Sequence, residues 1–347
     1  MKRHLLFLAA LLIVNLAASA QKKFSVYAVG FYNQENLFDT CHDEGKKDYE
    51  YLPNKGWNGM KYTNKLRNMS KALADMGTDV LPNVGCAFIG LSEVENHKVL
   101  DALVDQAPLK ARNMKYVHIE GPDRRGIDCA LLYNPSLFSV KNVKLLPYVQ
   151  ELAKDSAFFT RGFLTVRGEM AGDDVAVIVC HWPSRFSGPF YRESAARQVK
   201  VIKDSLQNVN QEMKIFVMGD MNDDPVNKSM HVYLQAKPEI SQVGAGDMYN
   251  PWYNVLAKEG KGTLFYSGNW NLFDQIVITP NLLNKDAKKK DYSSLKYWKS
   301  HIFRRDYLIQ QEGQYKGAPL RTTAGGRWLN GYSDHLPVVM YLVKEKR

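Results

Sequence analysis

Phe216-Val217-Met218-Gly219-Asp220-Met221-Asn222-Asp223 is the stretch on which the fold turns. An apolar run that reads as a buried strand gives way at a glycine to a turn that presents a carboxylate and a carboxamide two residues apart. Acids and amides do not collect at a strand end for packing reasons, so this pattern points to a site built where a strand stops.

Outward from this segment the same event recurs. Val199, Ile202, Leu206 and Val209 lie at helical spacing and predict a helix that leads into the strand Ile215 to Met218. Phe163 to Val166 and Val175 to Cys180 predict a hairpin that turns at Ala171-Gly172-Asp173-Asp174. Cys129 to Tyr133 reads as a strand that stops at Asn134-Pro135, and Cys86 to Leu91 as one that ends at Ser92-Glu93. Phe24 to Phe31 reads as a first strand, running on into Asn33-Gln34-Glu35-Asn36. Leu66, Met69, Leu73 and Met76 predict a helix stopped by Gly77. Two further strands, Gln275 to Ile278 and Val338 to Val343, bracket a long segment rich in Gly, Lys and aromatics. Such alternation belongs to a layered α/β architecture, in which sites are assembled at strand ends.

The polar residues delivered at these ends are Asn36, Glu93, Asp128, His181, Asp220, Asn222, Asp274, Asp334 and His335. Singly, each has an ordinary explanation as a turn former, a cap or a satisfied polar group. Together, carboxylates and two histidines without a thiol ligand suggest a hard divalent cation, Mg²⁺ or Mn²⁺, held by oxygen donors, with the imidazoles free for proton work. That combination suits hydrolysis at phosphorus.

The ends and the composition set bounds. Met1 to Ala20 opens on Lys2 and Arg3, continues through the apolar run Leu5 to Leu16 and closes on Ala18-Ser19-Ala20, the pattern of a secretory signal peptide. The run is short of the roughly 20 residues a bilayer core needs, so the expectation is an exported protein, periplasmic or extracellular, with no transmembrane segment after cleavage. Residues 21–347 read as one domain, because no linker, repeat or low-complexity tract marks a boundary. A composition of 45% hydrophobic and 24% charged residues can fill a sizeable core. The formal net charge of +10 includes Lys2 and Arg3, and the remaining excess favours anionic partners: nucleic acid, phospholipid head groups or phosphorylated sugars. No obligate protein partner is evident. Cys86, Cys129 and Cys180 lie in or beside apolar runs, so neither a disulfide framework nor a cysteine-ligated zinc site is expected.

The segments Tyr32-Asn33-Gln34-Glu35-Asn36, Leu91-Ser92-Glu93-Val94-Glu95-Asn96, Cys180-His181-Trp182-Pro183-Ser184, Gly219-Asp220-Met221-Asn222-Asp223, Phe273-Asp274-Gln275-Ile276 and Tyr332-Ser333-Asp334-His335-Leu336-Pro337-Val338 resemble, in order, the motifs of the endonuclease/exonuclease/phosphatase superfamily. The pair Gly-Asp-x-Asn and Ser-Asp-His-x-Pro is the more specific part. The resemblance implies a four-layer α/β/β/α sandwich, two mixed β-sheets face to face with helices outside. It implies Glu93 as principal metal ligand, with Asn36 and Asp334 completing the metal neighbourhood. Asp220 would orient or deprotonate the attacking water, Asn222 would donate to a phosphoryl oxygen, and His335, oriented by Asp274, would supply a further donor. His181 resembles the leaving-group histidine of the deoxyribonuclease branch, with Asp128 as its expected acidic partner. Arg161, in Phe159-Thr160-Arg161-Gly162-Phe163, resembles a phosphate-gripping arginine, and Arg185 is a second candidate phosphate contact.

The chain departs from common members between Asp274 and Asp334, where an insertion at about 280–330 holds the basic run Lys285 to Lys290, Arg304-Arg305, Tyr315 to Arg321 and Gly325-Gly326-Arg327-Trp328. Because it leads into the Ser-Asp-His motif, it is expected to form one wall of the cleft. The favoured reading is a secreted Mg²⁺-dependent nuclease or related phosphodiesterase. The alternative is a phosphomonoesterase or lipid phosphodiesterase on the same machinery, acting on an inositol phosphate, a sugar phosphate or a sphingomyelin head group. A non-catalytic binding module is the third reading, which a complete set of acids and both histidines argues against.

Overall fold

The strands that build the molecule are β1 (Phe24–Leu37), β2 (Cys86–Val94), β3 (Lys115–His118), β4 (Asp128–Tyr133), β5 (Phe138–Leu146), β6 (Phe163–Met170), β7 (Asp173–His181), β8 (Lys214–Asp220), β9 (Ala236–Lys237), β10 (Met248–Tyr249), β11 (Leu264–Tyr266), β12 (Asn269–Asn271), β13 (Asp274–Ile278), β14 (Lys296–Ile302), β15 (Thr323–Ala324), β16 (Arg327–Trp328) and β17 (Val338–Glu345). This computed structural model describes residues 23–152, 158–286 and 288–346. The expected signal peptide, Met1 to Ala20, lies outside the described residues.

A six-stranded sheet has the order β14-β17-β1-β2-β4-β3, and a seven-stranded sheet the order β5-β6-β7-β8-β13-β10-β9. Each is mixed: β1 and β2 run parallel, as do β7 and β8, while the strands flanking these pairs are antiparallel. Residues of β8 alternate between two cores, as the period of a strand demands. Phe216 and Met218 join Phe31, Phe88, Leu131 and Val177 between the sheets. Ile215 and Val217 turn the other way, onto Ala195 and Val199 of the helix Pro189–Val209. Outside the first sheet, Leu66, Met69 and Leu73 of the helix Gly59–Asp75 pack on Ile89, Leu91 and Val339. The layers are therefore helix, sheet, sheet, helix, as the resemblance implied.

Strands buried on both faces carry near-continuous apolar runs, which is why β7 and β8 are legible from sequence. The hairpin turn between β6 and β7 places Ala171 and Gly172 at φ 54° and 78°, the two successive positive values of a type I′ connection. The basic run corrects one expectation. It leads into β14, an edge strand paired with β17, and the Leu295 amide donates to Asp173 at the first residue of β7, whereas His181 is the last. Lysines on an edge strand guard it against pairing with other chains. The later part of the insertion, from Ser300 at the end of β14 onward, borders the hollows beside the cleft, and the described residues of the basic run Lys285 to Lys290 do not line them.

Strand register assembles one end of the second sheet: His181 stands opposite Asp220, and Asp220 opposite Asp274. Gly219 permits the close approach of β7 and β8 there, since a Cβ at this position would lie 2.2 Å from the Cys180 carbonyl oxygen and 2.8 Å from its carbon. Backbone cannot yield as a side chain can, so Gly219→Ala is expected to destabilise the fold by about 2–4 kcal/mol, on the scale of overpacking and backbone strain. A urea melt of the variant checks this, and an unchanged midpoint would refute it.

Candidate active site

Both sheets end in strained backbone at the same place. Glu35 and Asn36 at the end of β1 have φ 45° and 55°, Glu93 at the end of β2 has 60°, and Asn222 just past β8 has 48°. Left-handed backbone at non-glycine residues is uncommon and gathers where surrounding structure holds functional side chains in place.

The side chains meet across the two sheets. Asn33 Nδ2 donates to Asp220 Oδ2 at 3.0 Å and to Glu93 Oε1 at 3.3 Å, and the Asn36 amide donates to Glu93 Oε2 at 3.0 Å. His181 Nε2 lies 3.7 Å from both Glu93 Oε1 and Asp220 Oδ2. His335 Nδ1 is 2.7 Å from Asp274 Oδ2, and its Nε2 faces Asp220 Oδ2 at 3.8 Å and Asp334 Oδ1 at 3.9 Å. The Asn222 backbone amide donates to Asp220 Oδ1, and its side-chain amide to the Trp182 carbonyl, each at 2.9 Å. Asn36, Glu93, His181, Asp220, Asn222, Asp274, Asp334 and His335 are thus brought to one locus.

Electrostatics divides the two histidines. Burial alone would push the His335 imidazole down, but Asp274 and Asp220 outweigh it and hold it well above its ordinary value, so it is an imidazolium near neutrality. His181 goes the opposite way: burial, then Arg161, Arg125 and His335, drive it well below the usual range and leave it neutral. Asp220 is pushed up to about 6, chiefly by burial, with Asp274 and Glu93 adding and His335 opposing. Asp334 is raised by burial and by Glu93, against His335, Arg321 and Lys65.

Crowded buried carboxylates beside neutral imidazole make a place for positive charge. Glu93, His181 and Asp220 each offer a ligand atom, all within 4.8 Å of one another, a group that could hold a metal ion. The mainly oxygen donor set, with one imidazole, fits a hard divalent cation.

Two expectations fail on geometry. Asp128 does not face His181: its Oδ2 lies 3.1 Å from His118 Nε2, its Oδ1 accepts from the Gly121 amide at 2.9 Å, and His181 Nδ1 is buried with no hydrogen-bond partner. The cause is β3, which pairs with β4 and sets His118 opposite Ala130, beside Asp128. Arg185 is turned out of the pocket by the 3₁₀ turn Arg185–Ser187. It donates to Asn271, Asp224 and Asn227, and covers the Phe273 ring at 4.5 Å, pinning the loop after β8 to β12.

Arg161 does line the pocket, a hollow of about 270 Å³ walled also by Glu93, His181, Asn222 and His335. Asp123 at 3.0 Å and the Trp182 carbonyl at 2.9 Å hold its guanidinium flat. Two contributors escaped sequence reasoning: Asn33, which ties Glu93 to Asp220, and Arg125, whose half-exposed side chain opens onto the same hollow. Asn33 lies inside the segment Tyr32 to Asn36 and Arg125 three residues before Asp128, so proximity to candidate residues was the signal that could have found them.

The profile of the Endonuclease/Exonuclease/phosphatase family matches residues 28–344. No curated protein matches the sequence. Several solved structures share the fold. ANGEL2, described as a 2′,3′-cyclic phosphatase, is 12% identical, with 94% of this chain and 99% of that one covered and a TM-score of 0.57. A mannosyl-6-phosphatase from Bacteroides thetaiotaomicron VPI-5482 is 14% identical over 91% and 99%, with a TM-score of 0.54. TDP2 from D. rerio, complexed with a single-strand DNA product, is 11% identical over 92% and 99%, with a TM-score of 0.53.

Proposed function

The chain belongs to the Endonuclease/Exonuclease/phosphatase family, and from that premise we propose that it is an exported, Mg²⁺-dependent phosphodiesterase of nuclease type, which hydrolyses P–O bonds by attack of water. The observation that carries the reading is the convergence in one hollow of Asp220, His335 paired with Asp274 at 2.7 Å, and His181 at 3.7 Å from both Glu93 and Asp220. Against burial, neighbouring carboxylates push His335 up, while burial first and neighbouring cations after it push His181 down.

Asp220 orients a water and takes its proton, a role supported by the hydrogen bonds from Asn33 and the Asn222 amide that hold its carboxylate. His335 donates toward the charge that develops on phosphoryl oxygen, with Asp274 keeping it protonated. Arg161, held rigid by Asp123, and the exposed Arg125 bind the phosphate. Glu93, Asp334 and Asn36 would hold the cation, with His181 and Asp220 close enough to share it, and it would supply Lewis-acid polarisation of a phosphoryl oxygen. Asp128 has no place in this scheme beyond fixing His118.

The phosphate esters named for the structural neighbours differ, so substrate class rests on this chain's own surface. Its positive net charge, which persists without Lys2 and Arg3 of the leader, favours a polyanion. A sugar phosphomonoester is the second reading, favoured by the small volume of the hollow at the site and by the mannosyl-6-phosphatase neighbour. Export rests on the leader pattern Met1 to Ala20, and no helix among the described residues is long and apolar enough to cross a membrane.

Protein stripped of metal with a chelator is expected to lose hydrolysis of bis(p-nitrophenyl) phosphate and to regain it on addition of Mg²⁺. Turnover indifferent to chelator would refute the metal requirement. Turnover of p-nitrophenyl phosphate far above that of the diester would favour the second reading.

A further inference from the structure

Two hollows lead away from the site along the wall that the insertion supplies. The first, about 830 Å³, starts at Asp334 and Arg321 and runs to Tyr266 and Tyr315. The second, about 530 Å³, shares Phe265, Gln314, Tyr315 and Ala318 with it and extends to Trp270 and Arg304. Apart from Asp334, neither contributes a residue to the chemistry described above.

We propose that these joined hollows are an accessory subsite for single-stranded nucleic acid, which holds the nucleotides next to the scissile phosphate; this rests on the phosphodiesterase reading. Tyr266 and Tyr315 are 69% and 52% exposed, far more than packing needs, and Phe265 stands with them along the path. Faces of this kind stack unpaired bases without regard to sequence. Cations alternate with them. Arg304 donates to the Gly317 carbonyl and has no carboxylate partner among the described residues, and the same holds for Lys316. Of the acids lining the hollows, Glu259 is paired with Lys261 at 2.8 Å and Asp334 with Arg321 at 2.9 Å. A concave path with flat apolar faces and unneutralised cations complements a flexible polyanion with exposed bases. A duplex, its bases stacked inside, cannot use the aromatics.

The path is tied to the chemistry. Leu264 of β11 forms a bridge to His335, and the Leu336 amide donates to the Thr263 carbonyl at 2.8 Å. On the other wall Arg321 spans Asp334 at 2.9 Å and Glu35 at 3.4 Å. A strand lying in the hollows is therefore held in register with the proposed reacting centre.

The test is fluorescence anisotropy with a labelled single-stranded oligothymidylate of about a dozen nucleotides, in chelator so that nothing is cut. The full chain is compared with the Tyr315→Ala/Lys316→Ala double variant, both positions lying in an exposed loop. The variant is expected to bind at least about tenfold more weakly, the scale of one lost base stack and one lost phosphate contact, and with a shallower dependence on salt. Its turnover of bis(p-nitrophenyl) phosphate should match that of the parent. Equal binding by both proteins, or parent binding no tighter than to a labelled duplex, overturns the inference. If the parent binds the strand, the variant loses it, and neither protein turns over any diester, the subsite stands while the catalytic reading fails.

Discussion

Glu93→Gln is expected to lower kcat/KM by at least about a thousandfold, or roughly 4 kcal/mol of transition-state stabilisation, the range of a removed electrostatic contribution at a preorganised centre. The change is isosteric and removes one charge. It also disrupts hydrogen bonding: Glu93 accepts from Asn33 Nδ2 on one oxygen and from the Asn36 amide on the other, and a carboxamide can accept at only one of those places. Structural and functional roles separate on stability. Glu93 stands among Asp220, Asp334 and a neutral His181, and its charge helps to raise both carboxyl pKa values. Removing it relieves repulsion, which offsets the lost hydrogen bond, so metal-free Glu93→Gln should melt close to the parent. Calorimetric titration with Mg²⁺ should show affinity lost along with turnover. A variant that turns over within tenfold of the parent would remove Glu93 from the metal site.

How much of this was legible in the sequence follows from burial. Strands β1, β2, β7 and β8, covered on both faces, announce themselves as apolar runs, and their ends announce the acids. Strands β3, β5 and β14 lie at sheet edges, mix lysine with valine or tyrosine, and carry no such signal. The missed strands account for specific site errors. Without β3 there is no His118 beside Asp128, and the acid falls by default to His181. Without β14 the basic run looks like cleft wall, when the wall begins at Ser300, near the far end of that strand. Arg185 fails for a different reason: nearness in sequence to His181 says nothing about a 3₁₀ turn that rotates the side chain toward Asp224. Motif order across the chain still identified the residues that converge, because strand register carries them to one sheet end whatever the loops do.

Asp274→Asn is the second large effect, and its signature is a displaced pH profile. Turnover in the proposed scheme needs Asp220 ionised and His335 protonated. In the parent the acid limb then lies at about 6, the value to which burial first and Asp274 after it raise Asp220; a bound cation would move it lower. The basic limb lies well above the ordinary histidine range, because Asp274, 2.7 Å from Nδ1, and Asp220 overcome burial. Removing the Asp274 charge lowers both pKa values, and the basic limb moves further because it loses the paired partner. At pH 8 the variant is expected to fall by about two orders of magnitude or more, with part of the loss recovered near pH 6. Stability has its own sign. A histidine whose folded pKa is raised contributes stability that is fully present below its unfolded pKa of about 6.5 and lost as pH rises through the folded pKa. The parent should therefore become less stable on the alkaline side, and Asp274→Asn should flatten that slope. The asparagine carries a further cost, since Asp274 Oδ1 is buried without a partner and an NH₂ placed there would be equally orphaned. Unchanged pH limbs in the variant, with stability and turnover otherwise reduced, would make Asp274 a packing residue and leave His335 without its proposed source of charge.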